Sequence, residues 1–126
     1  MRRSVFAIGT ALACATGLAQ TPTPADFPPN ATSISADQLK ARLAGRVYGT
    51  RSSDGRDWRI EWKSNGYVFV DLSNGYKDSG KWTVEEGKSC SDLKKTGSSC
   101  SDMRLVGDVL YMRRASNGEI MELKPK

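Results

Sequence analysis

A chain of 126 residues with a formal net charge of +5 is long enough for one small domain and too mildly basic to point to a polyanionic partner. It contains no histidine, which removes the Ser-His-Asp and Cys-His nucleophile arrangements and every histidine-bearing zinc site. No glycine-rich loop opens a helix, so a phosphate cradle is excluded too, and neither a cofactor nor a metal is expected.

The chain starts with an export pattern. Arg2 and Arg3 make a positive start, Val5 to Leu12 an apolar run, and Ala13, Ala15, Gly17 and Ala19 a small-residue stretch suited to signal peptidase. Residues 1–19 therefore read as a Sec-type signal peptide cut near Ala19, which predicts a periplasmic or secreted protein. The apolar run falls short of the ~20 residues that a membrane helix requires, and no later segment comes closer, so no transmembrane span is expected. Ala11-Leu12-Ala13 before Cys14 is an imperfect lipoprotein box, with Ala at its first position. It leaves an outer-membrane lipoprotein anchored through Cys14 as the alternative.

Residues 20–33 carry Pro22, Pro24, Pro28 and Pro29 among small polar residues and read as a disordered Pro/Thr-rich spacer. Residues 34–126 then form a single domain. A core of that size gives thin stability, which a disulfide would supplement.

One short N-terminal helix is well signalled. Ser35 and Gln38 form a capping box, Ile34 can staple onto Leu39, Leu39 and Leu43 lie one turn apart, and Gly45 supplies the stop. Its apolar face must dock on something larger, as a plug or lid on a sheet.

After Gly45 the apolar period changes to two. Asp54-Gly55, Asn65-Gly66, Asn74-Gly75 and Asn117-Gly118, each preceded by Ser, read as tips of hairpins with primed turns. Between them lie strands at 46–52, 56–63, 67–72, 79–85, 88–93, 99–106, 109–114 and 119–124. The fold class is thus mainly all-β: about eight antiparallel strands in an up-and-down meander, closing into a small lipocalin-like barrel that leaves no exposed edge. In Asp57-Trp58-Arg59-Ile60-Glu61-Trp62-Lys63 large apolar residues alternate with charges, one face core and the other wet. Tyr67-Val68-Phe69-Val70 is apolar on both faces, and the helix at 36–43 is the expected cover for its outer side.

Ser89-Cys90-Ser91-Asp92 recurs as Ser99-Cys100-Ser101-Asp102. A hairpin turning at Lys94 to Gly97 sets Cys90 opposite Cys100, Lys88 opposite Asp102 and Glu86 opposite Arg104, so a Cys90–Cys100 disulfide is predicted. A redox-active pair is excluded, because the spacing lacks the Cys-x-x-Cys geometry that activates a thiol.

Leu39 to Gly45 leading into Tyr48-Gly49, then Trp58, Gly66-Tyr67, Ser79-Gly80-Lys81-Trp82, and Gly87 with Cys90 and Cys100 run through most of the domain. In these the chain resembles a family of small secreted proteobacterial β-domain proteins of unknown function. The resemblance implies a secreted β-domain and no catalytic residues. The chain departs from it in the Ser and Asp that flank its cysteines.

Candidate chemistry is sparse. Asp54, Asp57, Glu61, Asp71 and Asp78 are the carboxylates that an acid–base enzyme could use, but they sit on wet strand faces or at turns. Asp71 to Asp78 offers oxygen ligands without the spacing or closing Glu of a calcium loop. Arg56, Trp58, Arg59, Trp62 and Lys63 mix base and aromatic as a single-strand nucleic-acid groove does. Alternation sends charges and rings to opposite faces, so nucleic acid is excluded. Arg51, Lys94 and Lys95 complete a basic set that a solvated surface explains.

The expectation is a non-enzymatic binding or inhibitory module, a monomer acting on a small ligand or on an envelope or extracellular protein. A structural envelope protein and a carboxylate enzyme are the alternatives. A ligand would meet the aromatics Tyr48, Trp58, Trp62, Phe69, Tyr76 and Trp82.

Overall fold

The structure is a computed structural model that describes residues 26–126. The expected signal peptide (residues 1–19) with Cys14, and residues 20–25 of the expected spacer, lie outside the described residues.

Helix α1 (Ala36–Leu43) is followed by strands β1 (Arg46–Arg51), β2 (Asp57–Trp62), β3 (Tyr67–Leu72), β4 (Lys77–Glu85), β5 (Lys88–Leu93), β6 (Gly97–Val106), β7 (Val109–Arg113) and β8 (Ile120–Pro125). Each strand pairs antiparallel with the next. The pairs Tyr48↔Pro125 and Gly49↔Lys124 then close β8 onto β1, giving the expected eight-stranded up-and-down barrel.

The hairpin tips correct one detail. Gly55, Gly66, Gly75 and Gly118 have positive φ, but among the described residues no non-glycine does. A primed turn would need positive φ at its Asp or Asn as well. At Lys63–Tyr67, for example, the Gly66 amide donates to the Lys63 carbonyl and the Lys63 amide to the Tyr67 carbonyl, the pattern of a type I turn closed by a bulged glycine. The preceding Asp or Asn has a different task. Asp54, Asn65, Asn74 and Asn117 each accept a bond from the amide two residues on, at 3.0–3.2 Å.

The helix is capped as its sequence requires. Ser35 Oγ accepts from the Gln38 amide and Gln38 Oε1 from the Ser35 amide, while Ile34, Leu39 and Leu43 are buried together. The Gly45 amide donates to the Trp62 carbonyl, and Tyr48 Oη donates to the Arg42 carbonyl at 2.6 Å. Those bonds hold α1 across the barrel end where β1, β5 and β7 begin. There Leu39 and Leu43 join one buried cluster with Met103, Leu110, Met121 and Leu123, all at most 2% exposed. The helix is a plug, as expected, and not the outer cover of β3. Tyr67 and Phe69 remain 42% and 37% exposed on the outer wall, with the Lys63 ammonium 5.4 Å from the Phe69 ring centre. The link to β1 through Gly45 is too short to carry the helix round to that wall.

Cys90 and Cys100 occupy directly paired positions and form the disulfide. Lys88 lies opposite Asp102 as predicted, but Glu86 does not meet Arg104. Glu86 falls in the β4–β5 turn and accepts from the Ala36 amide at the helix start, while Arg104 pairs with Tyr111 across β7.

Residues 26–33 are tied to the barrel, contrary to the reading of that part of the spacer as disordered. Thr32 bridges to Leu105, Asp26 pairs with Arg113 at 2.9 Å, and the Phe27 ring lies 5.3 and 5.0 Å from the guanidinium carbons of Arg104 and Arg113. An aromatic ring over two guanidiniums holds a segment whose composition alone reads as linker.

Candidate functional site

Opposite the plug the barrel is open. A cavity of about 500 Å³ enters from the tips of β1–β2, β3–β4 and β5–β6. The crevice at the plugged end, between Arg42, Tyr48 and Leu110, measures only about 120 Å³.

Two kinds of wall face each other in the larger cavity. Trp58, Ile60 and Trp62 from β2 and Val68, Val70 and Leu72 from β3 make an apolar side, extended by Met112 of β7. Strict alternation in these strands produces it, since every second residue points inward. Across from it, Ser89 and Ser91 of β5 and Ser99 and Ser101 of β6 line the cavity with hydroxyls. They stand as directly opposed pairs, Ser89↔Ser101 and Ser91↔Ser99. Since these serines point inward, alternation puts the disulfide on the outer wall.

Ser89 is 7% exposed. Among the described residues, the serine side chains that hydrogen-bond to protein groups are those of Ser35, Ser52, Ser73 and Ser98, so the four cavity hydroxyls have no protein partner. Of the four, Ser89 is buried, Ser91 and Ser101 are half-buried and Ser99 is exposed, so the stripe presents its hydroxyls to whatever fills the cavity.

The mouth carries the charges, and they are matched within the protein. Arg56 pairs with Asp54 at 3.3 Å. Arg114 pairs with Glu119 at 3.7 Å and lies 4.8 Å from the Trp58 ring centre. Trp58 Nε1 donates to Ser52 Oγ, which donates to Asp54. Asp78 is the carboxylate lining the cavity among the described residues. It accepts from the amides of Ser79, Lys95 and Thr96 and from the hydroxyls of Thr96 and Tyr76, at 2.9–3.2 Å. Burial acts to raise its pKa, but the amides of Lys95 and Ser79 and the hydroxyls of Tyr76 and Thr96 outweigh burial and hold the carboxyl below its ordinary range. Asp78 is thus an anchor that pins the β5–β6 turn to β4. Tyr76 is shifted upward, first by desolvation and then by its bond to Asp78, and stays a neutral phenol.

Of the six aromatics that the sequence proposed as ligand-facing, the structure brings Trp58, Trp62 and Tyr76 to this cavity. Tyr48 belongs to the plugged end, where its ring meets Trp62 edge-on at 5.8 Å between centres and burial raises its pKa. Trp82 is buried, with Nε1 bonded to the Lys63 carbonyl at 2.9 Å. Phe69 faces outward. The sequence reasoning missed the serines and Met112. The serines were legible: once Cys90 and Cys100 are paired on one face, Ser89, Ser91, Ser99 and Ser101 must share the other.

Among the described residues, those that come closest to a metal-ligating set are Glu85, Cys90 and Cys100, and the disulfide removes both thiolates from it. No helix among the described residues is long and apolar enough to cross a membrane. No family model matches the chain, and neither the curated proteins nor the solved structures yield a match.

Proposed function

We propose that this protein is a non-enzymatic binding module of the periplasm or cell exterior, taking a small amphipathic ligand into the open end of its barrel. One observation carries the reading: an open-mouthed cavity of about 500 Å³ with an apolar wall and facing hydroxyls, in a domain that packs its other end tightly. That volume lies within the ~300–1,000 Å³ usual for small-molecule sites. A barrel of this size could otherwise fill its interior with side chains. The export pattern of residues 1–19 supports the location. The state of Asp78 supports a binding role over acid–base chemistry, since a carboxyl held below its ordinary range is a poor proton donor.

Titration with the neutral fluorophore Nile red tests the reading. Saturable fluorescence enhancement with one site per chain is expected, abolished in Ser91→Phe, which fills the cavity from its polar wall. A wild-type protein that leaves Nile red dark, or a Ser91→Phe variant that binds it equally well, would overturn the proposal.

A further inference from the structure

Not all polar groups around the cavity are available to a ligand. Arg56 and Arg114 are held by Asp54 and Glu119, the Arg114 guanidinium also covers Trp58, and Asp78 accepts five hydrogen bonds from the protein. The Lys95 ammonium lies 5.1 Å from the Tyr76 ring centre. The capacity left over is the serine stripe, which is neutral, and its deepest member, Ser89, is 93% buried and unpartnered within the protein. Alanine at these positions would leave the same space lined by methyl groups, so volume alone does not explain the hydroxyls.

We infer that the cavity takes a neutral, hydroxyl-bearing amphiphile, with its hydroxyl edge on Ser89, Ser91, Ser99 and Ser101 and its apolar side on Trp58, Trp62 and Val70. The inference rests on the binding-module reading above and adds the chemical class of the ligand. Opposed strand positions lie ~5 Å apart and alternate positions along a strand ~7 Å, so the four hydroxyls outline a patch about the size of one small polyol ring. Each serine both donates and accepts, as a polyol edge does, whereas for a carboxylate or sulfate the two arginines that line the cavity are already paired with Asp54 and Glu119. The apolar wall opposite, with Trp62 and Val70, suits the apolar side of such a ligand.

The test uses hexyl glucoside, below its micelle concentration, and hexyl sulfate as competitors of Nile red. Hexyl glucoside displaces the dye from the wild type and, with each protein's own Nile red affinity measured first and used to convert displacement into a dissociation constant, binds about tenfold more weakly to the double variant Ser89→Ala with Ser101→Ala. Unchanged glucoside affinity in the double variant, or displacement by hexyl sulfate at lower concentration than by the glucoside, would overturn the inference and leave the binding module standing. If Nile red fails to bind, the earlier reading fails on its own, and calorimetric titration with hexyl glucoside alone decides this one: heat lost in the double variant supports it, and no heat with the wild type sinks it. Serine-to-alanine changes on a paired strand keep the fold, and a melting temperature no lower than that of the wild type verifies that.

Discussion

The two ends of the barrel are made by the same eight strands and differ in what the interior positions carry. At the plugged end Leu39 and Leu43 from the helix meet Met103, Leu110, Met121 and Leu123, and the space closes to almost complete burial. At the open end Ser89, Ser91, Ser99 and Ser101 of β5 and β6 point inward, and among the described residues no element comes down to meet the indoles opposite. The difference teaches that stability and candidate function are separated along the barrel axis. Large aliphatic side chains hold one end shut, and small polar ones keep the other end hollow.

Breaking the plugged end should have the largest effect. Leu43→Ala leaves a hole among fully buried neighbours and should lower unfolding free energy by about 2–5 kcal/mol in urea titration, with Nile red affinity little changed. An equal loss of binding would mean that the two ends are not separable. Removing the disulfide with Cys90→Ser and Cys100→Ser should cost about 2–3 kcal/mol, because the link closes a loop with a separation of ten residues on the wall that carries the serines. An unchanged melting temperature would show that this hairpin is held by its ladder alone.

Gly80→Ala tests the same wall from β4. A Cβ at Gly80 would collide with the Asp92 backbone carbonyl, so β4 and β5 must separate locally, at a cost of about 1–3 kcal/mol. The smallest effect concerns the mouth. The Asp78 carboxyl has a lowered pKa in the folded protein, so its stabilising contribution is present above the ordinary carboxyl range and is lost as pH falls through the folded value. Asp78→Asn should flatten that acid limb of the stability profile and loosen the amides of Lys95 and Thr96, read as faster hydrogen exchange there. Wild-type and variant curves that run parallel into acid would contradict the anchoring role.

Much of the architecture was legible because it is written in local signals. The Ser35–Gln38 box, the glycine-closed turns and the alternation in Asp57 to Trp62 each act over a few residues, and together they leave little freedom beyond a closed meander. The turn type escaped because an Asn-Gly pair suits both a primed turn and a bulged one, and loop length decides between them. The position of the helix escaped because periodicity shows that Leu39 and Leu43 need cover without saying against what. Only the short link at Gly45 settles it. Phe69 was misread for a related reason: a strand apolar on both faces does not reveal that its outer side stays open. The seat of Phe27 rests on Arg104 and Arg113, more than seventy residues away, which no composition of the spacer can announce. As for the site, aromatic residues drew the eye while the recessed hydroxyls did the shaping. The Ser-Cys-Ser repeats were read for their cysteines, although the same alternation placed the serines.

The most direct test of the open-end cavity is a proton–nitrogen correlation spectrum of the isotopically labelled, oxidised protein, recorded with and without Nile red and read at the three tryptophan indole signals. Trp58 and Trp62 line the cavity, whereas Trp82 does not, its indole N–H being bonded to the Lys63 carbonyl. The account predicts large shifts for Trp58 and Trp62 and a still signal for Trp82. Shifts confined to Trp82, or to amides around the exposed Tyr67 and Phe69 on the outer wall, would contradict it.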